Sequence, residues 1–587
     1  MVEPRFRWAF PAPVTLSPEL LVAAHRHDLS ARVAGILAAR GVAGPADLDA
    51  WFDEPRAGLH DPALLPDAAV ARARLEGARA AGERVLVFGD FDADGLTGLA
   101  ILVLALRRYG IDAVPYVPSR LDEGHGLSLA SLAAAEAAGA TVIVTVDCGS
   151  TSVAEIAEAR RRGLDVIVTD HHRLPPVLPE AVALVNPHRS DSTYPDRRLA
   201  GSGVAFKLAC LLLADEPGGP EAALGLADLA TIGTVADVAP IVGENRAIAR
   251  IGLEILRTGA RPGLVALLER SGIQPSAVDL ESVAFAIAPR LNAAGRVGEA
   301  VEAAHLLLAS DPAEAAARAD GLETANGTRR DLMKTAVAEA RAAIDGAPDA
   351  PAVVVHGPWP VGIVGLVAGR LAEDRGRPAV VGADLGDVVR ASCRSDGSLD
   401  LGASLEACAD LFLRHGGHAG AAGFELPASR WDEFRDRFVA IAARTARPDP
   451  RVTLNLDLAL PALDVDYALH RDLGRLAPCG PGNPEPLVAI LGLTATRVRA
   501  ASGGHSQLTL KRRLDVLDGI AFGRPDIAEA VHEGDRLDVV ARVTSRRFGG
   551  FESLQLDIRD VATSGAHPEA AALLALEPQA VLTGAGG

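Results

Sequence analysis

From Val85 onward the chain alternates short apolar β-type runs with alanine-rich helical segments, and this alternation limits the fold more than any other feature. Val85-Leu86-Val87-Phe88, Ala113-Val114-Pro115-Tyr116-Val117, Thr141 to Val146 and Asp165 to Thr169 recur about every 25–28 residues, the size of one strand–helix–strand unit. The runs are apolar throughout, as strands buried on both faces must be. An α/β fold built on a doubly wound parallel sheet is expected, with a helix from about Thr97 to Tyr109 after the first strand.

The remaining chain sorts by pattern. Residues 1–80 read as a helical lead with Pro-rich breaks and no chemistry, and helices dominate again from about 200 to 345. A second α/β stretch opens at Ala352-Val353-Val354-Val355 and closes near Phe424. Short alternating strands at Leu454 to Leu458, Gln507 to Leu510, Arg536 to Val543 and Ser553 to Ile558 predict a small β-barrel. With 587 residues, 49% of them apolar, the chain can bury several cores. The expected domains are 1–80, 81–250, 251–345, 346–440 and 450–563, with a tail over 564–587. Five scattered cysteines (Cys148, Cys210, Cys393, Cys408, Cys479) without a C-x-x-C pair exclude a disulfide scaffold and a Cys-type zinc site. The longest aliphatic run, Leu99 to Leu106, is too short to span a bilayer. The first residues lack the apolar core of a secretory signal, so a cytoplasmic protein that does not use a membrane is expected.

Chemistry concentrates at the strand ends. Phe88-Gly89-Asp90-Phe91-Asp92-Ala93-Asp94-Gly95 puts three alternating carboxylates directly after the first strand, a row that repels itself unless a cation neutralises it. An EF-hand loop would need Glu at its twelfth position. Counted from Asp90 that position is Ile101, and a strand rather than a helix precedes it. Asp147, in Asp147-Cys148-Gly149-Ser150, follows the strand Thr141 to Val146, and Asp170-His171-His172 follows Asp165 to Thr169. The strand C-termini of a doubly wound sheet share one edge, where ligands bind. A lone Asp in such a place is normally a helix cap; three loaded strand ends point to one crevice. Asp237, in Gly233-Thr234-Val235-Ala236-Asp237, either joins them or closes a helix.

These residues carry a resemblance. Asp90-x-Asp92-x-Asp94, Asp147, Asp170-His171-His172 and Asp237 resemble the DHH phosphoesterase superfamily. Three further segments, in order, make the chain similar to RecJ-type single-stranded-DNA exonucleases over about residues 20–562. They are Pro289-Arg290-Leu291-Asn292-Ala293-Ala294-Gly295-Arg296, Gly416-Gly417-His418-Ala419-Gly420-Ala421-Ala422-Gly423-Phe424 and Pro478-Cys479-Gly480-Pro481-Gly482-Asn483-Pro484-Glu485-Pro486. The resemblance implies a doubly wound parallel-sheet DHH domain and a smaller α/β DHHA1 domain joined by helices around Asn326-Gly327-Thr328-Arg329-Arg330, with a C-terminal OB-like β-barrel. It implies a 5′→3′ exonuclease that hydrolyses single-stranded DNA to mononucleotides, in repair and recombination, with two Mn²⁺ or Mg²⁺ ions.

By the same resemblance Asp90, Asp92, Asp94, Asp147, His171 and Asp237 would hold the ions, with Asp147 bridging; mostly oxygen ligands suit Mn²⁺ or Mg²⁺ better than zinc. His172 would face the substrate, so Asp147, His171 and His172 make the catalytic group. Ser392 and Arg394, in Ala391-Ser392-Cys393-Arg394-Ser395, match the family's S-x-R segment, and a hydroxyl beside a guanidinium fork suits a terminal 5′-phosphate. Arg120, Arg290, Asn292 and His418 match further substrate-contact segments. His125 stands where the family has a tyrosine and still offers a ring for base stacking. Pro360 follows Trp359 where relatives commonly have His, and Cys393 stands where a small residue is usual. The implied partners are single-stranded DNA with a 5′ end, a single-stranded-DNA-binding protein and a helicase, the chain itself acting as a monomer.

The charge balance qualifies this. With 58 Lys+Arg against 76 Asp+Glu the net charge is −18, and coating nucleic acid needs basic surface. Part of the acidity belongs to the ion ligands, and the arginines are expected to concentrate along a narrow DNA path between lobes and barrel. Lys511-Arg512-Arg513, Arg546-Arg547-Phe548 and Phe551 give the barrel cations and aromatics, or simply a solvated hairpin. Two alternatives stand beside the exonuclease. One is another DHH phosphoesterase (an oligoribonuclease or cyclic-dinucleotide phosphodiesterase), whose members typically lack the barrel. The other is a catalytically silent DNA-binding replication factor, which would usually have lost the acids.

Overall fold

A computed structural model describes residues 2–120, 123–344, 350–445, 451–548 and 551–575. The chain forms two compact units, one of residues 54–450 and one that combines 1–53 with 451–587.

The larger unit is organised by a five-stranded sheet in which every pairing is parallel. Its strands are Arg84–Gly89, Asp112–Tyr116, Ala140–Val146, Asp165–Thr169 and Ala183–Val185, lying side by side in the order second, first, third, fourth, fifth. Val85, Val87, Val142 and Val144 enter the core on one face, while Leu86, Phe88, Ile143 and Val168 enter the core on the other, which is why these strands carry no polar alternation. The strand order reverses between Arg84–Gly89 and Ala140–Val146, and a crevice opens at such a point, beyond the strand C-termini. Helix Ala93–Tyr109 starts earlier than the expected Thr97 because the Asp92 carboxylate caps it, accepting from the N–H of Asp94 (3.0 Å) and Gly95 (3.1 Å). Asp94 therefore lies in the first turn of a buried helix.

Helices Gly201–Leu213, Ala227–Ala236, Gly243–Thr258 and Ala288–Val297 follow, and then Pro312–Ile344, a single helix of 33 residues. This long helix packs against both Ala288–Val297 and Val361–Arg375, the first helix of the second α/β stretch. That stretch has its own five-stranded sheet, in the order Arg414–Gly417, Ala421–Pro427, Val388–Arg394, Ala379–Asp384, Val353–Gly357, with only the last pair parallel. Phe424, Trp431, Phe434 and Phe438 fill its core.

In the other unit Val488–Ala501, His505–Arg512, Asp515–Ala521, Phe551–Thr563 and Arg536–Phe548 close into a barrel, since the last pairs back onto the first. The expected strand Leu454 to Leu458 is divided. Thr453–Asn455 pairs in parallel with Arg7–Ala9, and Leu458–Pro461 pairs with Val488–Leu491. Trp8 Nε1 donates to the buried Asp560 carboxylate (2.9 Å), 552 positions away along the chain. Leu20, Leu37 and Leu48 share one core with Leu460, Ile490 and Leu556, so the first part of the lead belongs with the barrel. All five cysteines are free. Among the described residues no helix is long and apolar enough to cross a membrane. The end of the tail, from residue 576, and the side chains of Arg547, Phe548 and Phe551 lie outside the described part.

Candidate metal centre and substrate site

The backbone aligns the acids. The N–H of Asp90 donates to Val146 O (3.3 Å), that of Asp147 to Thr169 O (3.0 Å) and that of Asp170 to Val185 O (3.1 Å). Each acid thus extends its strand by one step toward the next strand, and all three reach the same edge. Asp147 takes a left-handed backbone (φ 62°), which Asp tolerates better than most residues. Gly201 lies so close to it that a Cβ there would come 2.6 Å from Asp147 Cβ and 2.7 Å from its Oδ1. Helix Gly201–Leu213 can approach only because that side chain is missing, and its first amides then hold Asp94: Gly201 N–H to Oδ2 (2.7 Å) and Ser202 N–H to Oδ1 (3.0 Å). A helix N-terminus is a natural anion seat.

Three sets bring one ligand atom from each member within 4.8 Å of one another: Asp90, Asp92 and Asp147; Asp94, His171 and Asp237; and Asp147, His171 and His172. The third set shares Asp147 with the first and His171 with the second. Asp90 Oδ1, Asp147 Oδ1 and His171 Nε2 are buried without a hydrogen-bond partner, although His171 Nε2 lies 3.0 Å from Asp147 Oδ1. Each such orphan costs about 1–3 kcal/mol, and here they converge. Burial and then the charges of Asp94, Asp92 and Asp90 push Asp147 well above the usual carboxylate range. Burial and neighbouring carboxylates likewise raise Asp92 to about 6 and Asp237 to about 8. Burial pushes His171 down, toward the neutral form a metal ligand needs. This donor set fits divalent cations that favour oxygen. Asp237 ends helix Ala227–Ala236, and Val238 after it holds a φ of 60°. A β-branched residue in that region stores about 1–3 kcal/mol of strain.

Asp170 works differently. Its Oδ1 accepts from the N–H of His171 (2.8 Å) and His172 (3.1 Å) and from His172 Nδ1 (2.8 Å), while Oδ2 accepts from Ser150 N–H (3.0 Å). Burial opposes its ionisation, but these bonds and the charge of His172 prevail and hold it well below the ordinary range. The hydrogen bond to Asp170 in turn raises His172 to about 9, so His172 is a cation at neutral pH. The fully buried Asn186 donates to Ser150 Oγ (3.2 Å) and His172 O (2.9 Å). Neither Asp170 nor Asn186 was assigned a role from sequence; Asp170 stood in the motif, while Asn186-Pro187 carried no signal. Asp170→Asn is expected to lower kcat roughly 10–100-fold with little change in KM. The His172 titration, followed by NMR, should fall back toward the ordinary imidazole range; an unmoved titration would show that something else charges His172.

Arg120 and His125 lie beside this centre. Arg120 stacks over Phe91 (4.7 Å to the centroid), and the His125 ring lies 4.5 Å from the same ring. His125 Nδ1 is 3.1 Å from Asp90 Oδ2, yet the side chain is 71% exposed, so the imidazole touches the acid set and keeps an open face. Leu121 and Asp122 beside it lie outside the described residues. Ser392 and Arg394 face Gly365, where a Cβ would come 3.4 Å from Ser392 Oγ and 3.3 Å from Arg394 Nη2. Arg296 donates to Gly362 O (3.0 Å) at the start of helix Val361–Arg375. Burial and the charges of Arg120, Arg329 and Arg394 push Arg296 down to about 9. Four guanidiniums therefore crowd together, none of them in a salt bridge among the described residues. Arg296 stands in a matched segment and Arg329 in the helical connector, neither with a role readable from sequence; only their convergence singles them out. Arg290 and Asn292, expected to touch substrate, also bond within the protein. Arg290 is buried and donates to Glu323 Oε2 (2.5 Å) and Ala286 O (2.8 Å), and Asn292 Oδ1 accepts from Ala93 N–H (2.9 Å), steadying the acidic turn. His418 lies on an exposed hairpin, where its Nδ1 accepts from Gly420 N–H (3.2 Å).

Comparison with known proteins agrees with this geometry. The DHH family N-terminal domain model matches residues 84–234, the DHHA1 domain 350–444 and the RecJ OB domain 456–560. The single-stranded-DNA-specific exonuclease RecJ of Bacillus subtilis (strain 168) is 33% identical over 571 residues, covering 96% of this chain and 72% of that protein. Crystal structures of RecJ from Thermus thermophilus superpose with a TM-score of 0.81 for the complex with Mn²⁺ (32% identity, 96% of this chain and 80% of that one). For the complex with Mg²⁺ the TM-score is 0.76 (31% identity, 96% and 79%). The acid row, the three domains in order and a likeness that runs nearly end to end place the chain in the RecJ family of single-stranded-DNA-specific exonucleases.

Proposed function

We propose that this chain removes nucleotides one at a time from the 5′ end of single-stranded DNA, using two divalent ions. The observation that carries the reading is a pair of adjacent ligand sets, linked where Asp147 Oδ1 of the first lies 3.0 Å from His171 Nε2 of the second. Asp90, Asp92 and Asp147 would hold one ion, and Asp94, His171 and Asp237, with Asp147 again, the other. The similar structures hold Mn²⁺ and Mg²⁺, and either ion suits these donors. Such ions, when bound, supply a water nucleophile at neutral pH and neutralise charge on the scissile phosphate.

The protein groups do the rest. The helix amides at Gly201 and Ser202 fix the Asp94 carboxylate in place. His172, charged through Asp170, donates a hydrogen bond to a non-bridging phosphate oxygen. Phe91, flanked by Arg120 and His125, gives the terminal base a ring surface. Ser392 and Arg394, with Arg120 and Arg296 beside them, take the terminal 5′-phosphate, which sets the 5′→3′ direction. The complete acid set weighs against a silent DNA-binding role. All six ligands come from one unit of one chain, which supports action as a monomer. An enzyme confined to single strands needs a helicase to supply them and works on strands held by a single-stranded-DNA-binding protein. A cytoplasmic place in repair and recombination fits that task. The matched segments support a DHH domain over 81–250, a DHHA1 domain over 346–440 and an OB-fold domain over 450–563.

Digestion of 5′-phosphorylated oligonucleotides with Mn²⁺ tests this reading. Single strands should shorten from the 5′ end to mononucleotides, at least about 100-fold faster than blunt duplex. Arg394→Ala should raise KM about tenfold for 5′-phosphorylated strands, the equivalent of a charge-assisted contact, with a smaller change for 5′-hydroxyl strands. Release from the 3′ end, or equal attack on duplex, would overturn it.

A further inference from the structure

The edge of the sheet carries a second cationic group that the assignments above leave unused. Along the sheet the order is the strand ending at Asp90, then the one ending at Asp147, then the one ending at Asp170, then Ala183–Val185, which runs directly into Asn186-Pro187-His188. Neighbouring strands are about 4.8 Å apart, so the row from Asp90 to Asp170 spans about 10 Å. Arg120 and Arg296 feel Asp92 at the first end of this row. At the other end stand Arg173, which follows His172 in the chain, and His188.

One buried side chain ties this end together. Asn186 Oδ1 accepts from His188 N–H (2.8 Å), while its Nδ2 donates to His172 O (2.9 Å). The backbone of His188 is therefore pinned to that of His172. The His188 ring lies within reach of the charges of Arg197, Arg173, Asp170 and His172. Arg197 is held by a hydrogen bond to Ser192 O (2.9 Å). Neither Arg173 nor Arg197 forms a salt bridge among the described residues, whereas nearby Arg189 pairs with Asp67 and Asp191, and Arg198 with Asp196. His188, Arg173 and Arg197 are all exposed. In a chain of net charge −18, two guanidiniums and an imidazole that form no salt bridge among the described residues, beside a phosphate-cleaving centre, form a local anion seat.

We propose that Arg173, His188 and Arg197 form a subsite for the phosphates of the DNA strand on the 3′ side of the scissile bond. This rests on the nuclease reading above and deepens it. A strand whose 5′-phosphate lies with Ser392 and Arg394 crosses the acid row and leaves it past His172, where these three groups meet the next phosphates. The subsite would make the enzyme favour polymers, because a 5′-phosphorylated dinucleotide has no phosphate beyond the scissile one and a trinucleotide is the shortest strand that reaches it.

The test compares the Arg173→Gln/Arg197→Gln double variant with wild type on a 5′-phosphorylated dinucleotide, a trinucleotide and a 15-mer in Mn²⁺. For the 15-mer kcat/KM should fall about 10–30-fold, mostly through KM, with a smaller fall for the trinucleotide and a change within about threefold for the dinucleotide. The slope of log kcat/KM against log salt on the 15-mer should become shallower by about 0.7 for each phosphate that the variant no longer neutralises. Arg173→Lys and Arg197→Lys, which keep the charge, should restore most of that slope. An equal loss on the dinucleotide would overturn the subsite, as would unchanged kinetics on all three substrates. If wild type itself cleaves none of them, the nuclease reading falls; if wild type cleaves them and the variant matches it, only the subsite falls.

Discussion

Asp147→Asn is expected to abolish cleavage and, in the same protein, to raise the melting temperature of the metal-free form. The two effects have one cause. Asp147 is buried against Asp90, Asp92 and Asp94, and its Oδ1 has no hydrogen-bond partner. Without a cation its negative charge is unfavourable, and Asn of the same shape removes that charge. Asn also accepts the left-handed backbone of Asp147 (φ 62°) at least as well as Asp does. In EDTA the variant should melt about 2–5 °C higher than wild type. In Mn²⁺ the order should invert. A ligand at about 100 times its Kd stabilises the folded state by about 2.7 kcal/mol, and the variant, lacking the shared ligand, should gain little. Nuclease activity should fall at least about 1000-fold, since the Asp90, Asp92 and Asp147 set is then incomplete and its link to His171 is lost. A variant that still melts higher with Mn²⁺ and still cleaves DNA would remove Asp147 from the centre. A variant that melts lower than wild type in EDTA would mean that the carboxylate is satisfied by the protein alone.

The metal-free protein should also lose stability as pH rises from about 6.5 to 8.5, the reverse of ordinary carboxylate behaviour. Burial and neighbouring charges raise Asp237 to about 8 and hold Asp147 well above its ordinary value, so the folded state keeps protons that an unfolded chain, with Asp near 3.9, has already released. Stability changes with pH as the difference in bound protons, unfolded minus folded. That difference is negative here, so stability falls as pH rises. His172 acts in the same direction: raised to about 9 by Asp170, it contributes stability below about 6.5 that is lost as pH rises through 9. His171, pushed down by burial, acts the other way, but its contribution is complete above its unfolded value near 6.5 and so does not oppose the trend in this window. Thermal scans in EDTA at constant ionic strength should show the melting temperature falling by about 5 °C or more across the window. Saturating Mn²⁺ should flatten or reverse the slope, because ion binding expels the protons. A flat profile in EDTA would show that the acids are neutralised by something other than protons or a metal.

The parts legible in the sequence were those with a local signature. The four long strands of the first sheet are continuous apolar runs, and the acids directly after them could be placed at one edge from the parallel topology alone. The helix start was placed near Thr97, because the capping bonds of Asp92, which bring Asp94 inside the helix, depend on side-chain geometry. Ala183–Val185 is a strand of three residues, too short to show a period. With it Asn186 was missed, although that side chain ties the backbones of His172 and His188 together. The pairing of Arg7–Ala9 with Thr453–Asn455 was invisible for a plainer reason: sequence patterns carry no information about partners hundreds of residues apart.

The substrate residues separate along the same line. Arg290 stands in a matched segment and pairs with Glu323, while Arg296 of the same segment and Arg329 of the connecting helix form no salt bridge among the described residues. Spacing along the chain does not distinguish an arginine with a carboxylate partner from one without. Residue order and periodicity were enough to specify a parallel sheet with a row of acids at its edge, because both follow from contacts within about thirty residues. Which acids remain protonated, which histidine carries charge and which arginines stay open to an anion were settled by burial and by distances between segments remote in sequence, because desolvation and Coulomb energies depend on three-dimensional separation and on nothing that a linear pattern contains.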